Sequence, residues 1–556
     1  MVVTEVHSVC RVRSPRGSAR RLGWAVGLAL LCVTACTDAP TGPPGQPSAS
    51  SAFGTSWGSA SSQSGQSAPP PSPSGTARPL ELHELVPGWV TGARSRAVLQ
   101  DEGPSGPPLT VTVSPGRPTS TAFGAGNVGL SLELEDLADP RWDHDPALAL
   151  LVAGLGRPTL RFGGNSADRR VFWTSTGEAA PPWAHVTLTP ADVERLGRFA
   201  ARTGVDVIAT VDLGHNDPLR AADFAAHLAS ALGDRLIGIS IGNEPNGFNL
   251  ASQPQYRIRD DTWGPSTFLA QARQYEAAIH RRTPGIPLVG PGVYDMAWIR
   301  PFAAARLPQL RALTQHWYPL WACRGEDQAA TPMPANLLNP ALSRHTAQVV
   351  SPALALARSV GLPLWMEETG PTSCAGTNPT SRTHAQALWT VEYLLHLAQL
   401  GVQRTALHAS LANCVGGAPM SPVCTRDDVG EGTSALQGSV GYLGAALVAQ
   451  IQPGRFIPAR VSGPDSAAVI VYAVADASGV DVVVVDLRDP TGSAARPLTV
   501  AGLSGQRLMA ASRLAGPAPE AVGSSVFAPL TQVSETGLTA TRPGSATLLR
   551  FTPSVG

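Results

Sequence analysis

The sequence contains no lysine; all 41 of its basic residues are arginine. Schiff-base catalysis, a pyridoxal–lysine linkage and a phosphate-loop lysine are excluded at once. Nor does charge of one sign dominate, since the arginines balance 41 acidic residues. No global field therefore draws the chain toward nucleic acid, and an anionic ligand has to be caught locally. Cysteine is sparse, with seven in 556 residues, and no CxxC unit occurs, which argues against a zinc centre. The apolar run "LGWAVGLALLCV" near the N-terminus is too short to be a comfortable membrane span.

The N-terminus carries an export signature instead. Arg11, Arg13, Arg16, Arg20 and Arg21 precede the apolar run, and "VTAC" (Val33 to Cys36) follows it, as in a bacterial lipoprotein signal over residues 1–35 whose mature chain begins at a lipidated Cys36. Ordinary signal-peptide cleavage nearby is the alternative. Residues 36–79 are rich in Pro, Gly, Ser and Ala, a composition that buries no core and serves as a tether. The expected location is the cell surface or periplasm, with the lipid as the one membrane attachment. Four cysteines remain in the body, Cys323, Cys374, Cys414 and Cys424. In an exported protein they suggest two disulfides, and the short interval favours Cys414 with Cys424, leaving Cys323 with Cys374.

With 43% hydrophobic residues the body can build substantial cores. From residue 127 short apolar runs alternate with longer helical periods. Strands are expected at 128–134, 159–164, 206–213, 236–243, 287–293, 313–319, 363–369 and 405–411, with amphipathic segments such as "DVERLGRFAARTG" between them. Eight such units spell a (β/α)8 TIM barrel, an α/β fold, over residues 121–453. A doubly wound open sheet is the runner-up, but no glycine-rich phosphate loop follows any strand. Residues 454–556 change to short alternating strands with Gly, Pro and Asp turns, which describes an accessory C-terminal β-sandwich. The segment 80–120, with "PLTVTVSP", has the same texture and is expected to lend strands to it.

In a TIM barrel the functional residues sit at the C-terminal strand ends. The fourth end, "ISIGNEPNGF", offers Asn243 and Glu244; the sixth, "TQHWYP", offers His316 and Tyr318; the seventh, "WMEETG", offers Glu367 and Glu368. A strand interior rejects proline and seldom keeps an unpaired carboxylate, so Glu244 before Pro245 reads as a strand tip turned to a cleft. Alternation sends Glu367 and Glu368 to opposite sides, so one of them is expected to face the mouth. Two carboxylates over a barrel mouth suit glycosidic bond cleavage, one protonated and one ionised. Glutamates that merely cap helices or sit in salt bridges are the plainer account of either one alone.

Together with "GLSLELEDLADPRW" and "LRFGGNSADRRVFW", these strand ends resemble the retaining glycoside hydrolases of clan A, and within it family 79, the heparanase and β-glucuronidase group, in order over residues 127 to 411. The resemblance implies Glu244 as general acid/base, Asn243 on the sugar 2-hydroxyl, and Glu368 as nucleophile. Glu367 then stands where that family usually has a small residue. Glu135 would meet the sugar hydroxyls, and His316 and Tyr318 would orient the nucleophile and line the sugar site. Gly163, Gly164 and Asn165 would approach the sugar, although the glycines could simply serve a tight turn. Asp168 reads as a helix cap, and Arg161 as a partner for a buried carboxylate, Glu368 among them. Trp173, Trp183, Trp317 and Trp321 could stack on sugars but suit a core equally well. A uronate receptor could come from "CVGGAPMSPVC" with Arg382 or Arg426 nearby. The expectation is a monomeric retaining β-glucuronidase with a glycan or glucuronide substrate and neither cofactor nor metal. The alternatives are a xylosidase- or glucosidase-type enzyme of the same clan and a non-catalytic carbohydrate-binding lipoprotein.

Overall fold

The computed structural model describes residues 79–99, 103–251, 256–374, 377–414, 420–426, 435–530 and 540–554. The signal segment, most of the tether, Cys36 and residues 415–419 of the candidate uronate loop lie outside them.

Eight parallel strands close into a barrel: β1 (Gly129–Glu133), β2 (Thr159–Gly163), β3 (Asp206–Val211), β4 (Leu236–Ile241), β5 (Leu288–Val293), β6 (Leu310–Trp317), β7 (Leu364–Thr369) and β8 (Arg404–Ala409), each hydrogen-bonded to the next and β8 to β1. The helices that follow them are α1 (Pro146–Ala153), α2 (Pro190–Thr203), α3 (Pro218–Leu232), α4 (Pro265–Arg282), α5 (Met296–Ala305), α6 (Pro340–Ser359), α7 (His384–Leu400) and α8 (Val440–Ala449). The expected (β/α)8 architecture is therefore present. Five of these helices open on proline directly after the cap residue, where the missing N–H costs nothing. At α2, Thr189 and Asp192 form a reciprocal capping box, and Gly204 closes the helix at φ 76°.

Barrel strands alternate between two environments. Ile208, Val289, Ala312 and Trp365 meet inside the barrel as a small apolar plug. Their neighbours, such as Val207, Leu313 and Met366, join the large core beneath the helices. Above the plug the inward positions turn polar, with Ser131, Arg161, Thr314 and Glu367 all buried.

The β-domain pairs a seven-stranded sheet with a four-stranded one. Leu109–Val113 lies in the smaller sheet, antiparallel to Ala459–Ser462 and parallel to Arg496–Ala501, while Leu82–Leu85 and Gly92–Leu99 are helical. Val480–Asp486 is buried along its whole length, and its period of two explains why. Val482 and Val484 pack into the sandwich core, while Val483 and Val485 pack into the barrel's outer core. At the same seam Tyr472 Oη donates to Glu392 Oε1 of α7 at 2.9 Å. Both expected disulfides are present: Cys323–Cys374 ties the loops after β6 and β7, and Cys414–Cys424 closes the loop after β8. Among the described residues, no helix is long and apolar enough to cross a membrane.

Candidate active site

The site grows from Arg161, an inward residue of β2 with no solvent exposure. Its Nη1 donates to Ser131 Oγ at 3.0 Å and to Glu368 Oε2 at 2.5 Å, and its Nη2 donates to Asn243 Oδ1 at 2.7 Å. One guanidinium thus joins the ends of β1, β4 and β7. The fork geometry of arginine permits this, and burial makes each bond charge-assisted in a low dielectric. Gly163 makes room for it: a Cβ there would lie 2.2 Å from the guanidinium carbon. Gly164 holds φ 66°, and its Cβ would lie 2.3 Å from the Glu133 carboxyl. Each glycine therefore has a local packing reason for its place.

Glu368 has a second donor. Tyr318 Oη donates to Glu368 Oε1 at 2.9 Å, and His408 Nδ1 lies 3.0 Å from the same hydroxyl. His408 Nε2 faces Glu133 Oε1 at 3.5 Å, and Glu133 accepts from the Ser166 amide at 2.8 Å. Burial alone would raise Glu368, but His316, His408, Arg161 and the Tyr318 bond outweigh it and lower the carboxyl to about 2. It is ionised at neutral pH.

Glu244 stands in a different setting. Its backbone is left-handed, φ 48° and ψ 55°, which for a residue preceding proline stores about 1–3 kcal/mol of strain. The strain is held by Glu244 N donating to Gly292 O at 3.0 Å and by Gly247 N donating to Glu244 O at 2.7 Å. The side chain meets His316 Nδ1 at 3.0 Å. Burial pulls His316 down, yet Glu368, Glu244 and Glu367 overcome it and raise the imidazole to about 9. Its ring is therefore protonated at neutral pH and donates to Glu244. Glu244, His316 and Glu368 each offer an atom within 4.8 Å of the others.

Asp168 neither caps a helix nor points to the mouth. Its Oδ1 accepts from the amides of Leu213 and Gly214 at 2.8 and 2.9 Å, and its Oδ2 accepts from Asn243 N at 2.7 Å. It latches the ends of β3 and β4, and burial with Asp212 nearby raises it to about 6. Asn165 accepts from Arg169 Nη1 at 2.9 Å. Glu135 pairs with Arg170 at 2.7 Å and shares no hydrogen bond with Glu244 or Glu368. Of the tryptophans, Trp173 and Trp317 are buried, and Trp183 stacks on His215 with ring centres 3.6 Å apart.

Two features escaped the sequence. His408, a lone histidine in an apolar strand, carries no local signal; only barrel closure between β8 and β1 sets it beside Glu133 and Tyr318. The expectation that one glutamate of the Glu367-Glu368 pair turns away is corrected. The β6–β7 register runs from Gln315 opposite Met366 to His316 opposite Glu368, skipping Glu367. This bulge breaks the alternation, so both carboxylates reach Arg161, Glu368 at 2.5 Å and Glu367 at 3.5 Å.

No family model and no curated protein sequence matches the chain. Solved structures do. A 4-O-α-L-rhamnosyl-β-D-glucuronidase from Fusarium oxysporum is similar at 17% identity and TM-score 0.61, covering 79% of this chain and 100% of that one. A family 51 α-L-arabinofuranosidase from Bifidobacterium longum is similar at 17% identity and TM-score 0.59, covering 80% and 100%. A family 51 arabinofuranosidase from Xanthomonas axonopodis pv. citri follows at 14% identity and TM-score 0.57, covering 80% and 99%. At these identities the likeness is one of fold: the chain has the barrel and accessory β-domain found in these glycoside hydrolases.

Proposed function

We propose that this protein is a retaining glycoside hydrolase of clan A that releases β-linked uronic acid, a β-glucuronide, from glycans or glycoconjugates. The observation that carries the reading is the pairing of Glu244 with Glu368, oxygens within 4.8 Å of each other across the mouth of the barrel. That separation suits a nucleophile and leaves no room for a water between the carboxylates.

In this reading Glu368 is the nucleophile. Arg161 and Tyr318 hold both its oxygens, so it stays ionised and aimed at the anomeric carbon. Glu244 protonates the leaving oxygen, and the His316 imidazolium stabilises the carboxylate that remains. The same Glu244 then takes a proton from the water that hydrolyses the glycosyl-enzyme. Asn243 spends its carbonyl oxygen on Arg161, which leaves its amide N–H for the sugar 2-hydroxyl, a bond that strengthens as positive charge grows at the ring. No step calls for a cofactor or metal. The family 79 resemblance and the likeness in fold to a glucuronidase both favour uronate. The likeness to arabinofuranosidases supports a second reading, a clan A enzyme acting on a neutral sugar. The N-terminal signature supports a location at the cell surface or in the periplasm, with an anchor through lipid on Cys36.

The test is hydrolysis of nitrophenyl β-glucuronide beside the β-glucoside, β-xyloside, β-galactoside and α-arabinofuranoside, with trapping by a 2-fluoro glucuronide. The expected result is selective glucuronide cleavage and a covalent label on Glu368. Glu368→Gln is expected to lower kcat/KM by about 10⁴-fold, and Glu244→Gln by about 10²- to 10⁴-fold with partial rescue by azide. Preference for a neutral sugar would move the protein to the second reading. Full activity in either variant would remove the two-glutamate mechanism.

A further inference from the structure

Glu367 has no part in that mechanism, yet its side chain is wholly buried in the barrel beneath the two catalytic candidates. It sits 3.5 Å from Arg161 Nη2, and its Oε1 is 3.8 Å from Nε2 of His316, whose Nδ1 meets Glu244 at 3.0 Å. The imidazole therefore stands between two carboxylates, one on each ring nitrogen. The barrel keeps space for this arrangement. Gly292 of β5 holds φ 64°, and a Cβ there would come to 3.2 Å from Glu367 Oε1 and 3.6 Å from His316 Nε2. A carboxylate needed only to neutralise Arg161 would be redundant, because Glu368 already does so at 2.5 Å. An unpaired buried charge is costly to retain without a further partner.

We propose that Glu367 is a positioning residue that acts through His316, holding the ring with Nδ1–H turned to Glu244. With a carboxylate on each side, the ring is most stable carrying both protons. Deprived of Glu367, it gives up the Nε2 proton more readily, and the neutral ring that keeps Nδ1–H on Glu244 no longer brings a positive charge to the carboxylate left after proton donation. The charged groups facing His316 are Glu244 from the turn after β4 and Glu367 and Glu368 from β7, with Arg161 of β2 behind the latter two, and β5 presents Gly292, which has no side chain. Removing Glu367 takes away one of three carboxylates and leaves Arg161, so the ring must release its proton at lower pH.

Two independent readouts test this, and only the kinetic one rests on the glycosidase reading. In protein labelled with ¹⁵N-histidine, the His316 signals are identified by their loss in His316→Asn. The expected result is a titration midpoint about one pH unit lower in Glu367→Gln than in the wild type. In the kinetic arm, the alkaline limb of kcat/KM moves by a similar amount. The loss in that variant is expected to be about tenfold greater for a glycoside with a poor leaving group, which needs the proton from Glu244, than for an activated aryl glycoside. If Glu367→Gln does not fold, Glu367→Gly, which removes charge and bulk together, is read in the same way. An unmoved His316 midpoint, with only the melting temperature lowered, would overturn the proposal and leave Glu367 a structural counter-ion. Absence of glycosidase activity in the wild type would sink the functional reading alone, and the His316 titration would still decide this one.

Discussion

At the scale of single residues, the site is an exercise in holding charge out of water. Glu368 is lowered to about 2 from an ordinary 4.5, and His316 is raised to about 9 from 6.5. The signs differ and so do the windows. As pH falls below about 4.5, the unfolded chain takes up a proton that folded Glu368 refuses until about 2, so its contribution is lost across that interval. His316 stabilises fully below about 6.5, and that contribution is lost as pH rises through about 9. Melting temperature measured against pH is therefore expected to fall at both ends, with Glu368→Gln flattening the acid limb and His316→Asn the alkaline one. Arg161→Ala should be the most damaging single change of the set. It leaves two buried carboxylates without their guanidinium, a loss of about 3–5 kcal/mol by denaturant unfolding.

At the scale of elements, the bulge on β7 and the turn at Glu244 do what regular strands cannot. The bulge lets two consecutive glutamates face one guanidinium, and the left-handed backbone at Glu244 lifts its side chain to His316. Strand ends must then be tied, because the functional groups come from several of them. Asp168 supplies such a tie through three backbone amides. Asp168→Ala would leave those buried donors without an acceptor, destabilising the protein by about 3 kcal/mol in urea unfolding. Activity is expected to fall more steeply than fold stability implies, since Asn243 and Glu244 would lose their anchor. Asp168→Asn, which keeps the acceptor on one side, should recover part of both.

At the scale of the molecule, barrel and β-domain share one continuous core. Val483, Val485, Leu514 and Leu548 from the β-domain belong to the cluster that also contains Leu394 and Leu447 of α7 and α8. Apolar area of that kind, once exposed, drives association. A chain ending at residue 453 is expected to be insoluble or aggregated in gel filtration, whereas the whole protein should unfold in one calorimetric transition. Two separate transitions in the whole protein would show that the seam carries little of the stability.

Much of this was legible from residues alone. Eight apolar runs at βα spacing announced the barrel, because burial on both faces demands continuous apolar strands. Pro245 after a carboxylate marked a strand end, because proline cannot continue a ladder. His316 and Tyr318, two apart on one strand, had to face the same way. What local pattern could not reach was whatever depends on register or closure. Only the bulged β6–β7 pairing turned Glu367 and Glu368 to a common side. Only closure of β8 onto β1 set His408 between Tyr318 and Glu133. The side-chain period of a strand is a property of the chain itself; the partner across the barrel is a property of the closed sheet, and there the tertiary structure alone decided.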